Sequence, residues 1–91
     1  MLNPQKVADT FRELRSHFGK FDWKKNPVLL CVCDGLELSV TAFTGVHAYP
    51  SAERAYNRAV RDLKMPVEFR IYEKGALVLF DQAEPRAPEL H

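Results

Sequence analysis

The chain has 91 residues, 46% hydrophobic and 27% charged, with a formal net charge of +1. That length supports one domain around one core. The composition excludes a disordered chain, and the near-neutral charge excludes the strongly basic footprint of a dedicated nucleic-acid binder.

Asn3-Pro4 reads as a helix start, with Asn as N-cap and Pro at the first helical position. Val7, Phe11, Leu14 and Phe18 then recur at helical spacing on one face, and Gly19 is expected to stop the helix in the left-handed conformation. An aromatic and basic linker, Phe21-Asp22-Trp23-Lys24-Lys25, leads to Pro27 and a first strand, Val28 to Cys33. Asp34-Gly35 suits a two-residue type I′ turn. The second strand then alternates, with Leu36, Leu38, Val40 and Ala42 on one side and Glu37, Ser39 and Thr41 on the other.

Thr44 to Pro50 crosses to a second helix, capped by Ser51, whose buried face is Ala52, Ala55, Tyr56, Ala59, Val60 and Leu63. Met65-Pro66 ends it. A third strand sets Val67, Phe69 and Ile71 against Glu68, Arg70 and Tyr72, Lys74-Gly75 turns, and Ala76 to Phe80 forms a fourth strand. Residues 1–81 are expected to form the domain, and residues 82–91, with Pro85 and Pro88, a flexible tail.

Asn26-Pro27-Val28 through Asp34-Gly35 is echoed by Met65-Pro66-Val67 through Lys74-Gly75, each copy preceded by a helix. The expected fold is α+β: two layers in αββαββ order, a four-stranded mainly antiparallel sheet with two helices on one face. Whether the halves are a true duplication stays open, because two hairpins following two helices share this grammar by necessity.

The first strand is apolar on both sides. If Val28, Leu30 and Val32 meet the helices, then Leu29, Cys31 and Cys33 point away, bordered by Tyr72. Leaving such side chains wet forfeits roughly 1.5–3 kcal/mol each, so something must cover them: the aromatic linker or tail, a second copy in a homodimer, or another protein. The two cysteines stand at i and i+2 on one strand, too far apart for easy bridging, and they read as small hydrophobes. His17, His47 and His91 are scattered, so neither a metal nor another cofactor is expected.

The cations cluster. Residues 1–25 carry a net +3 and residues 51–64 a net +2. Arg54, Arg58 and Arg61 fall on one stripe of the second helix, fit for an acidic protein partner or for phosphates, or else an ordinary solvated face. Lys20, Trp23, Lys24 and Lys25 interleave a ring with basic groups, as surfaces that stack on unpaired bases do. The more economical reading pins the rings of this linker to the core.

No phosphate loop, nucleophile elbow or zinc spacing is present, and His47 is a lone acid–base candidate without a partner. The sequence therefore points to a small non-enzymatic protein-binding module, regulatory or inhibitory. Its size suits the small inhibitors carried by phages and other mobile elements, by analogy only. Its expected contacts are Leu29, Cys31, Cys33 and Tyr72 on the sheet, or Arg54, Arg58 and Arg61. The alternative is a nucleic-acid-binding module using the arginine stripe and the linker. No apolar run approaches the roughly 20 residues of a membrane helix, and Met1-Leu2-Asn3-Pro4 opens no signal segment, so a cytoplasmic location away from membranes is expected.

Overall fold

The computed structural model describes residues 2–85. Asn3 caps the first helix as its sequence indicates: its Oδ1 accepts the Gln5 and Lys6 N–H groups at 3.0 and 3.3 Å. Helix α1 spans Pro4–Ser16 and passes into a single 3-10 turn, Phe18–Lys20. Gly19 lies inside that turn and does not take the positive φ expected of a helix-stopping glycine. The tightened last turn, with Lys20 N–H bonded to the His17 carbonyl at 3.1 Å, ends the helix instead.

Strand β1 is Val28–Cys33, β2 is Leu38–Phe43, helix α2 is Ala48–Arg61, β3 is Val67–Glu73 and β4 is Ala76–Ala83. The four strands form one antiparallel sheet in the order β2-β1-β3-β4. The α+β class, the αββαββ order and the four-stranded antiparallel sheet are those the sequence indicates.

The two hairpins turn differently. Lys74 and Gly75 take φ values of 51° and 89° between adjacent strand ends, a tight two-residue turn. At the first hairpin Cys33 pairs with Leu38, so residues 34–37 all belong to the loop. Asp34 Oδ1 accepts the N–H groups of Leu36 and Glu37, each at 2.8 Å, and this side-chain turn displaces the expected type I′ geometry. Leu36, assigned to the second strand from its alternation, stands 81% exposed at the tip. Helix α2 also starts earlier than its sequence suggests. His47 is the N-cap, without a side-chain capping bond, and Pro50 sits in the first turn, where its missing N–H leaves no bond unmade.

The largest correction concerns the layers. The helices lie on opposite faces of the sheet, not on one. Ala48 and Ala52 of α2 pack with Val28, Leu30, Val67, Phe69 and Ile71. Val7 and Phe11 of α1 pack with Leu29, Cys31, Cys33 and Tyr72 on the other side. The reason is the strand order: β1 lies between β2 and β3, and its two apolar faces each need a cover. The result is a helix–sheet–helix sandwich. Strand β4 also continues to Ala83, into the stretch expected to be a tail, and Ala83 packs against the α2-side core. Residues 86–91 lie outside the described residues.

Opposite placement of the helices also bears on the internal repeat. Rotation by half a turn about an axis normal to the sheet carries one hairpin onto the other, because β1 and β3 are antiparallel neighbours. That rotation keeps each helix on its own side of the sheet. The two αββ halves therefore share an order and differ in handedness.

Candidate functional site

Strand β3 directs Glu68, Arg70 and Tyr72 to the α1 face, since each pairs directly with an α1-facing residue of β1. That position is interior, and the polar groups satisfy one another there. Arg70 Nε donates to Glu68 Oε2 at 2.9 Å, Arg70 Nη1 donates to the Tyr72 hydroxyl at 3.0 Å, and Gln82 Nε2 donates to Glu68 Oε1 at 3.0 Å. The Glu68 side chain is 3% exposed, and a buried carboxylate needs this complement of donors. The Arg70 guanidinium lies 4.0 Å from the centre of the Phe11 ring and 5.4 Å from that of Phe80. Burial works against the Arg70 charge, but the bonds to Tyr72 and Glu68 outweigh it and hold its pKa above the ordinary arginine value. It is a fixed cation.

This network floors a groove between α1 and β4. One part, about 520 Å³, is lined by Leu2, Pro4, Val7, Ala8, Pro66 and Phe80. The next part is lined by Arg12, Arg15, Phe18 and Gly75, and shares Ala8 and Arg70 with the first. Volume, apolar walls and a few convergent polar groups are the usual marks of a binding site. Strand β4 forms the outer wall and is an edge of the sheet, with Leu77, Val78 and Phe80 exposed by 47%, 44% and 51%. The opposite edge, β2, exposes only Val40 among its large apolar side chains.

The residues proposed from sequence for docking through the sheet are core. Leu29, Cys31, Cys33 and Tyr72 are buried beneath α1 and the linker rings, so the case for partner binding through them is withdrawn. Cys31 is fully enclosed, and burial pushes its thiol up to about 12, with Arg70 opposing only in part. It is neither a nucleophile nor a redox group in this state. Both cysteines are free.

Trp23 does not stack outward either. Its indole N–H donates to the Phe18 carbonyl at 3.2 Å, and its ring meets Phe18 and Phe21 edge-on at 5.0 and 4.7 Å. Phe18 in turn meets Tyr72 at 4.9 Å. Lys20, Lys24 and Lys25 remain exposed around a ring that is already occupied. Arg54, Arg58 and Arg61 are exposed on α2, and the only ion pairs among the described residues, Arg12–Asp9 and Arg70–Glu68, do not involve them. His47 is exposed at the N-cap of α2 and is not among the residues that line the groove. Among the described residues no three His, Cys, Asp or Glu side chains gather as a metal site would require, and no helix is long and apolar enough to cross a membrane.

Sequence reasoning missed Glu68, Arg70, Phe80 and Gln82 as site residues. The signal was available in β1: a strand apolar on both sides forces cover on both faces of its neighbours, which moves the polar side of β3 inward. No family profile matches the chain, and no curated protein or solved structure is similar to it.

Proposed function

We propose that the chain is a non-enzymatic protein-binding module that takes an extended segment of a partner protein along the free edge of β4, with side chains of that segment reaching over β4 into the groove beside α1. The observation that carries this reading is the free, apolar β4 edge, standing next to a groove whose floor holds a fixed cation. An edge strand offers unpaired N–H and C=O groups to a partner strand. The pairing of β3 with β4 shifts register between Ile71 and Tyr72, opposite Val78. A bulge of this kind interrupts pairing of the whole β4 strand with a second copy of itself, yet leaves Leu79 to Ala83 regular for a short segment. This favours a partner segment over a homodimer.

The groups gathered at the groove are recognition groups, apolar walls and a guanidinium beside aromatic rings, which supports binding; a regulatory or inhibitory role is part of the same proposal. A cytoplasmic location belongs to the same proposal.

The test compares edges. Wild-type chain, Phe80→Glu and Val40→Glu are used to retain partners from host extract, with circular dichroism confirming the fold of each. Loss of the retained protein with Phe80→Glu and its persistence with Val40→Glu is the expected result; equal retention by both overturns the reading. A concentration-dependent dimer that Phe80→Glu abolishes would replace the partner segment with a second copy.

One observation favours a second reading. Arg54, Arg58 and Arg61 form a cationic stripe without ion pairs to described carboxylates, as phosphate contacts would use. Binding to duplex or single-stranded DNA that weakens steeply with salt, and is lost in Arg54→Ala/Arg58→Ala, would establish it. Weak binding at 50 mM salt with a shallow slope removes it.

A further inference from the structure

We infer that the end of the groove lined by Arg12, Arg15 and Arg70 is a carboxylate subsite, so that the partner segment carries an acidic side chain there. The inference rests on the groove reading above and adds the chemistry of what the groove selects. Arg70 spends Nε on Glu68 and Nη1 on Tyr72. Its Nη2 has no hydrogen-bond partner among the described residues. Nη2 is therefore not fully buried, on a residue that lines both parts of the groove. Clamped between Phe11 and Phe80, this donor is held in place before any ligand arrives.

Arg15 lines the same concavity and makes no ion pair with a described residue, while Arg12 pairs only with Asp9, both side chains being more than half exposed. An exposed pair of that kind is weak and exchangeable. Among the described residues no carboxylate lines this part of the groove; Asp9 touches it only through its pair with Arg12, and Glu68, which lines the adjoining part, is already committed to Arg70 and Gln82. Three arginines thus line one concavity together with Phe18 and Gly75. Arginine matches a planar carboxylate with paired N–H donors, and the flanking rings accept apolar neighbours of the acidic residue.

The probes are two acetylated and amidated tetrapeptides, Leu-Glu-Leu-Glu and Leu-Gln-Leu-Gln, titrated against the full nitrogen-15-labelled chain. The expected result is saturable shifts at the Arg12, Arg15 and Arg70 Nε signals and the Gly75 amide with the glutamate peptide. Binding should be about ten-fold weaker for the glutamine peptide, and for the glutamate peptide with Arg12→Gln/Arg15→Gln, as expected for lost charge-assisted hydrogen bonds. These two arginines are exposed, so their replacement leaves the core untouched. Equal affinity for the two peptides, or unchanged affinity in the double variant, overturns the subsite. An equal response to inorganic phosphate at matched ionic strength also overturns the carboxylate assignment. Failure here leaves the groove to be judged separately, by the retention of partner in Phe80→Glu.

Discussion

Alanines seat α2 on one face of the sheet, whereas rings hold α1 on the other. Ala48 and Ala52 are buried at 4% and 0% exposure, and the α2 backbone comes close to β1, β2 and β3. Phe11, Phe18, Phe21 and Trp23 fill the α1 side, around Leu29, Cys31 and Cys33, and the α1 backbone stands farther from the strands. A helix set on small side chains leaves little between itself and the sheet. A helix set on bulky ones tapers away from the sheet at its flank, and along β4 that flank is the groove. The α2 side even fastens its own β4 edge, where the Tyr56 hydroxyl donates to Asp81. The α1 side leaves Phe80 uncovered at the equivalent strand. One face is finished and the other is open, and a binding surface belongs on the open one.

The strongest test of that contrast is Leu29→Glu. With Leu29 at 2% exposure under α1, a carboxylate there has no partner, and the chain should lose its cooperative thermal transition. A folded, soluble Leu29→Glu variant would show that α1 is dispensable as a cover. Next in size, Arg70→Ala strands Glu68 and should cost about 3–5 kcal/mol by urea denaturation, whereas Glu68→Leu/Arg70→Met should fall near wild-type stability. If the paired replacement is as costly as the single one, the network is structural glue rather than a tolerated polar floor.

A smaller effect is expected on the finished face. Tyr56→Phe should cost about 1 kcal/mol. Burial and the bond to Asp81 push the Tyr56 phenol up to about 12 from its usual 10.0. Its contribution is complete below pH 10 and is lost as pH rises toward 12, so wild-type stability should fall over that window more steeply than that of Tyr56→Phe. The smallest effect lies at the hairpin tip. Backbone N–H donors of Glu37 and Leu36 hold the Asp34 carboxyl below its usual value. Its contribution is present above about pH 4 and is lost as pH falls through the lowered value. Denaturant midpoints of Asp34→Ala should therefore show a flatter acid limb than wild type.

Much of the fold was legible because local chemistry and pattern agreed. Asn3-Pro4, Lys74-Gly75 and the apolar stripes of both helices each specify a neighbourhood of a few residues, and the structure keeps them. The side on which a helix packs is not a local property. Val7, Phe11, Leu14 and Phe18 require burial, but their spacing does not say against which face of the sheet. Parity in Val67 to Tyr72 sorted two sides and left open which was inside, and assigning both helices to one face turned Glu68 and Arg70 outward by default. The deciding fact was global: β1 is central, with apolar side chains on both faces, so two covers were needed and two helices were at hand. Leu36 and Ser51 mislead for a different reason. Each fits the local pattern, and side-chain bonding at Asp34 and an earlier start at Ala48 override it.

Trp23, the single tryptophan of the chain, leans over Gly75 and against Phe18 and Phe21 on the α1 side. Its emission is thus a private gauge of that side. Should α1 and the linker lift away while the strands and α2 hold, fluorescence would change at a lower denaturant concentration than the amide circular dichroism. A ligand settling beside Gly75 would register in the same signal without any label.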